Sequence, residues 1–146
     1  MKSDNPLLVK WSGPHGGVPP FASVKVEHFK PAFASTMEEK RRELAAIAES
    51  AAPPTFDNTI AALDDAGRTF HDLETIYDIW VSTMSGPELQ TAERELAPKL
   101  AAFEDEITEN EKLFARIAAV FTAPQKESRL SPEQERLTWR RYSATR

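Results

Sequence analysis

The chain has 146 residues, 40% of them apolar and 28% charged, with a formal net charge of −5. That is the composition of a soluble globular protein, long enough to bury a core as one domain, and its acidic balance argues against non-specific nucleic-acid binding. It contains no cysteine, so disulfides, thiolate metal sites and cysteine nucleophiles are excluded.

Lys2 is followed by no apolar h-region, and no apolar run approaches the ~20 residues that span a bilayer. The expected compartment is therefore the cytoplasm, with no membrane partner. Charge is uneven along the chain. Residues 1–125 carry −8, and residues 126–146 carry +3. A solvated helix face is the plain reading of that basic end; a docking surface for an acidic segment is the sharper one.

Residues 1–22 read as an extended, irregular arm. Asn5-Pro6 and Gly13-Pro14 signal turns, while Gly16-Gly17 and Pro19-Pro20 block regular helix. Leu7, Leu8, Val9, Trp11, Val18 and Phe21 are too apolar for a free tail, which is the alternative. Trp11 and Phe21 are the expected anchors. A short helical turn around Val24–Phe29 leads into the first long helix, expected from about Lys30 to Glu49. There Phe29, Phe33, Met37, Leu44 and Ile47 recur at three-, four- and seven-residue steps, and Pro31 suits a first turn.

Pro53 and Pro54 stop that helix, because a residue before proline is pushed out of the α region. Thr55 then has the place of an N-cap that accepts from the amide of Asn58. Asn58 stands where a capping box carries Glu or Gln, so the reciprocal bond is possible but weaker. A second helix is expected from Phe56 to about Met84, with Phe56, Ile60, Leu63, Phe70, Leu73, Tyr77, Trp80, Val81 and Met84 inward. Gly67 lies inside it, read as a close helix crossing. Ser85-Gly86-Pro87 starts a third helix running to about Phe121, with Leu89, Leu96, Leu100, Phe103, Ile107, Phe114, Ile117 and Phe121 inward. Pro98 should kink it, and Thr108-Glu109-Asn110 could interrupt it. After a loop, Ser131-Pro132-Glu133-Gln134 reads as a capping box. The helix it starts turns Leu137 and Tyr142 inward and Arg136, Arg140 and Arg141 mostly outward. The expected fold is all-α: an antiparallel bundle of about four helices with an N-terminal arm, residues 1–146 forming one domain with its helices over 23–142.

No complete catalytic set is present. The histidines, His15, His28 and His71, lack the four-residue spacing of a helical zinc pair. His28, at a helix entrance, reads as a packed or capping residue, and His71 as solvated. Asp64-Asp65, Glu104-Asp105-Glu106, and Glu109 with Glu111 read as exposed acidic faces. A di-metal carboxylate bundle needs Glu-x-x-His on inward faces, and Arg68-x-x-His71 does not supply it. Ser12-Gly13-Pro14-His15-Gly16-Gly17 lacks the lysine of a phosphate loop. No catalytic, cofactor-binding or metal residue is therefore assigned.

Several strings, in order, resemble a known family. They are Asn5-Pro6-Leu7-Leu8, Pro20-Phe21, His28-Phe29-x-Pro31-Ala32-Phe33, Met37, Ala45-Ala46-Ile47-Ala48, Pro54-Thr55-Phe56-Asp57-Asn58-Thr59-Ile60 and Asn110-x-x-Leu113-Phe114-x-Arg116-Ile117. Together they look like the N-terminal region of thimet-oligopeptidase-like zinc metallopeptidases, on the bacterial branch of peptidyl-dipeptidase and oligopeptidase A. The resemblance covers about residues 5–142. It implies a helical scaffold forming part of the wall of a channel that admits short peptides to a zinc ion. It also implies that HExxH and a later glutamate lie in a longer chain, and neither is present in this sequence. The chain is expected to be an N-terminal fragment, inactive alone and without a cofactor of its own. Zinc, peptide substrates and the missing catalytic half would belong to the parent. The alternative is a stand-alone helical interaction module.

Overall fold

The computed structural model describes residues 5–9, 21–84, 86–122 and 130–144. Among them the chain forms helices and turns and no strand, so the expected all-α class holds. Two 3-10 turns, Phe21–Ser23 and Val26–His28, precede α1, Phe29–Ala48. A π-helical turn, Phe56–Ala61, runs into the short α2, Ala62–Asp65; α3 is Arg68–Thr83, α4 Pro87–Thr108, α5 Glu111–Thr122 and α6 Pro132–Ala144.

The described residues divide into two compact units. One comprises residues up to Glu39 together with Gly67–Ala101; the other comprises Lys40–Ala66 and residues from Ala102 onward. In the first, Phe29, Phe33, Phe70, Leu73, Ile76, Tyr77, Leu89 and Leu96 are buried. Its rings meet edge to face, Phe33 with Tyr77 at 5.2 Å and Phe29 with Tyr77 at 5.4 Å, the arrangement aromatic quadrupoles favour. Lys30 pairs with Glu95 across α1 and α4. In the second unit Leu44, Ile47, Ile60, Leu63, Leu113, Ile117 and Val120 form the core. Arg41 closes its rim: the guanidinium bonds both Glu106 oxygens at 3.0–3.2 Å and lies 4.9 Å from the Phe103 ring centre. The pair is half exposed, so water screens most of its Coulomb energy.

The structure departs from the sequence expectations in helix bounds and in some of the side chains those helices bury. The helix expected from Phe56 to Met84 is broken at Ala66–Gly67, where Ala66 is extended and Gly67 has φ 72°. That left-handed angle is cheap for glycine because it has no β-carbon to crowd the backbone. Gly67 therefore turns the chain between two helices, and no helix crossing is needed to explain it. The helix expected from Pro87 to Phe121 breaks at Glu109-Asn110, as considered, and its first part runs as helix through Pro98. Both Pro98 and Arg94 are exposed, so the carbonyl that loses its donor can face water. The break resets the helical phase. Leu113 and Val120 are buried, while Phe114 is half-buried and Phe121 is 41% exposed. Both of those rings stack on Tyr142 of α6, at 5.7 and 4.4 Å between centres.

Of the expected anchors, Phe21 is 38% exposed, and Trp11 lies outside the described residues. Asn5 and Leu7 are the buried members of residues 5–9. Met84 is also exposed, at 56%, because α3 ends one residue before it.

Candidate functional site

A heavily cross-linked polar cluster among the described residues is the corner at residues 50–59. Thr55 is extended, at φ −127°, and its Oγ1 accepts from the Asn58 N–H at 3.1 Å. The Thr55 N–H donates to Asn58 Oδ1 at 2.7 Å, so the reciprocal half of the box is made. Asn58 does more than a glutamate could. Its Nδ2 donates to the Pro53 carbonyl at 2.9 Å, while Oδ1 also accepts from the Thr59 hydroxyl at 2.8 Å. A carboxylate has no donor for the first of these bonds.

The fourth participant comes from α5. Arg116 is 7% exposed. Its Nη1 donates to the carbonyls of Ser50 and Ala52, both at 3.0 Å, and its Nη2 to Asn58 Oδ1 at 3.2 Å. Its Nε is buried with no partner. The guanidinium fork suits this task because its donors diverge in one plane. The result is a corner whose side-chain bonds go to holding backbone and one another. Arg116 was visible beforehand only as a letter in a family string. Its physical signal is a cation three residues from Leu113 and four from Val120, on the face that the apolar stripe turns inward.

The groups singled out for chemistry are not brought together. His28 is half-buried, and its Nδ1 accepts from the Lys25 N–H at 2.9 Å, so it caps a turn. His71 is exposed on α3. His15 and the Ser12–Gly17 stretch lie outside the described residues. Asp64 bonds Arg141 at 3.0 Å, turning that arginine partly inward, and Glu106 bonds Arg41. Glu104, Asp105, Glu109 and Glu111 are exposed. Among the described residues no three histidine or acidic side chains are placed to hold a metal ion. No described helix is long and apolar enough to cross a membrane. At Tyr77, burial, then the Glu93 and Asp78 charges, push the phenol above the usual range.

What the fold leaves open, the relatives narrow. The chain is a homologue of a helical portion of bacterial peptidases, as the motif strings implied. It is 34% identical over 121 residues to the dipeptidyl carboxypeptidase of Escherichia coli, covering 83% of this chain and 18% of that protein. Against the dipeptidyl carboxypeptidase of Salmonella typhimurium it is 34% identical over 119 residues, covering 82% and 17%. Against oligopeptidase A of Salmonella typhimurium it is 28% identical over 114 residues, covering 75% and 15%. The chain thus spans less than a fifth of the length of these relatives. No protein-family model matches it.

Proposed function

We propose that this chain is the helical scaffold and channel-wall portion of a zinc-dependent peptidase of the peptidyl-dipeptidase type, acting on short peptides. The observation that carries the reading is the 34% identity to a dipeptidyl carboxypeptidase over 83% of the chain. The rigid Arg116–Asn58 corner suits a scaffold, because it spends its polar groups on holding backbone in place. The residues present do not fit a zinc site: histidines 15, 28 and 71 have no helical pair spacing. The chemistry would therefore belong to residues outside these 146, and the chain alone is expected to release no dipeptide. A cytoplasmic setting and a catalytic portion as partner belong to the same proposal.

A chimera tests it. The matched 121 residues of the Escherichia coli dipeptidyl carboxypeptidase are replaced by those of this chain. Zinc content and dipeptide release from a short peptide are then measured by mass spectrometry. Activity within about tenfold of the parent, or about 1.4 kcal/mol of barrier, is the expected result. A folded, zinc-loaded chimera that releases nothing overturns the reading and favours a stand-alone interaction module. Dipeptide release by the 146-residue chain alone overturns it from the other side.

A further inference from the structure

Residues 5–9 are held at the entrance of α1 through a short relay. Asn5 is 8% exposed and Leu7 4%. Asn5 Nδ2 donates to the His28 carbonyl at 2.8 Å, and Asn5 Oδ1 accepts from the Leu7 N–H at 3.0 Å. The carbonyl at the base of this relay belongs to a turn that His28 itself closes. The His28 N–H donates to the Lys25 carbonyl at 3.0 Å, and its ring Nδ1 accepts from the Lys25 N–H at 2.9 Å.

That last bond fixes a protonation state. A ring nitrogen that accepts from a backbone amide carries no proton, so the imidazole is neutral with its hydrogen on Nε2. A doubly protonated ring has two donors and no acceptor. It would set Nδ1–H against the Lys25 N–H and force the turn to open. Imidazole is the side chain that changes charge in the mildly acid range. The charged groups beside it in the chain are Lys25 and Glu27 on its own turn and Lys30 on α1, the last held by Glu95 of α4. From α3, Tyr77 packs against the adjoining Phe29. Residues 5–9 contribute no titrating side chain.

We infer that His28 is a proton-released clasp for the N-terminal segment. Neutral, it closes the Lys25–His28 turn and presents the carbonyl that Asn5 grips. Protonated, it loses the bond from the Lys25 N–H, so the turn opens more often and the hold on residues 5–9 loosens with it. The inference stands on this geometry and is independent of the peptidase reading.

Hydrogen exchange of the Leu7 amide tests it on the whole chain, as a protection factor corrected for intrinsic rate, between pH 8 and pH 5. Amides inside α1 serve as the control for global opening. In the native chain Leu7 protection falls by about fivefold across that range while the α1 amides hold theirs, the fold-change that loss of one ordinary hydrogen bond implies. His28→Gln keeps an acceptor that does not titrate, and its Leu7 protection stays level with pH. His28→Ala shows the low value throughout. Native Leu7 protection that is level with pH overturns the clasp. So does a fall that His28→Gln reproduces, or His28→Ala protection equal to the native value at pH 8.

Discussion

Arg116 brings a full positive charge into a buried place where its three hydrogen bonds all end on neutral oxygens. Removing it leaves the carbonyls of Ser50 and Ala52 without that donor, and also weakens the hold on Asn58. Bonds from a charged donor contribute about 1.5–3 kcal/mol each and are not additive. The unpaired Nε and the cost of burying the charge offset part of that. Arg116→Ala should therefore destabilise the chain by about 2–4 kcal/mol, read as a lower urea midpoint with unchanged slope. Arg116→Lys should recover less than half of the loss, because one ammonium cannot aim along the fork's directions. An alanine variant within about 0.5 kcal/mol of the parent would show that the corner is held by Thr55 and Asn58 alone. At this scale the sequence was legible where a bond is local. The Thr55–Asn58 and Ser131–Gln134 boxes both form, the second at 3.0 and 3.2 Å. Arg116 was not legible, because its partners lie 58–66 residues away.

Among the elements, two small interruptions govern which side chains reach the core. Asn110 accepts from the Leu113 N–H through its side chain at 3.0 Å and from the Phe114 N–H through its carbonyl at 3.0 Å. It starts α5 afresh, and a stripe continued from α4 therefore placed Phe121 inward, where the structure has Val120. Periodicity cannot see such a reset, since it assumes one unbroken phase. Gly67 is the second interruption. A glycine in sequence signals close approach and positive φ alike, and here the φ of 72° is what breaks the helix. Gly67→Ala separates the two. A residue forced to φ 72° should cost at least about 1–2 kcal/mol, seen as a drop in thermal midpoint. A stability gain would mean that the position tolerates ordinary helix and that the break is incidental.

For the whole molecule, the elevated Tyr77 phenol sets a limit on alkaline stability. Its folded value is raised by burial and then by Glu93 and Asp78. The stabilisation from keeping it neutral is fully present below the unfolded value near ~10 and is lost as pH rises through the folded one. Chemical denaturation between pH 8 and pH 11 should show stability declining toward the alkaline end. The decline should be shallower in Tyr77→Phe, which cannot ionise. Equal slopes in the two proteins would remove Tyr77 as the cause. The general class, all-α and related to peptidases, was readable from periodicity and ordered strings. The two compact units were not, since two of their three boundaries fall within α1 and α4, where no composition changes, and the third falls at Ala66–Gly67.

The corner at residues 50–59 also has a place in time. The Thr55–Asn58 exchange joins neighbours and can close as soon as the first turn nucleates, within about a microsecond. Arg116 must instead wait for α5 to arrive from 58 residues further along, after loop closure has been offset by core contacts. A bond that forms so late is expected to be missing from the rate-limiting barrier. Its loss should then quicken unfolding and leave the folding rate nearly unchanged. On that expectation the arginine acts as a latch on a nearly finished fold, setting how long the fold lasts rather than how fast it forms.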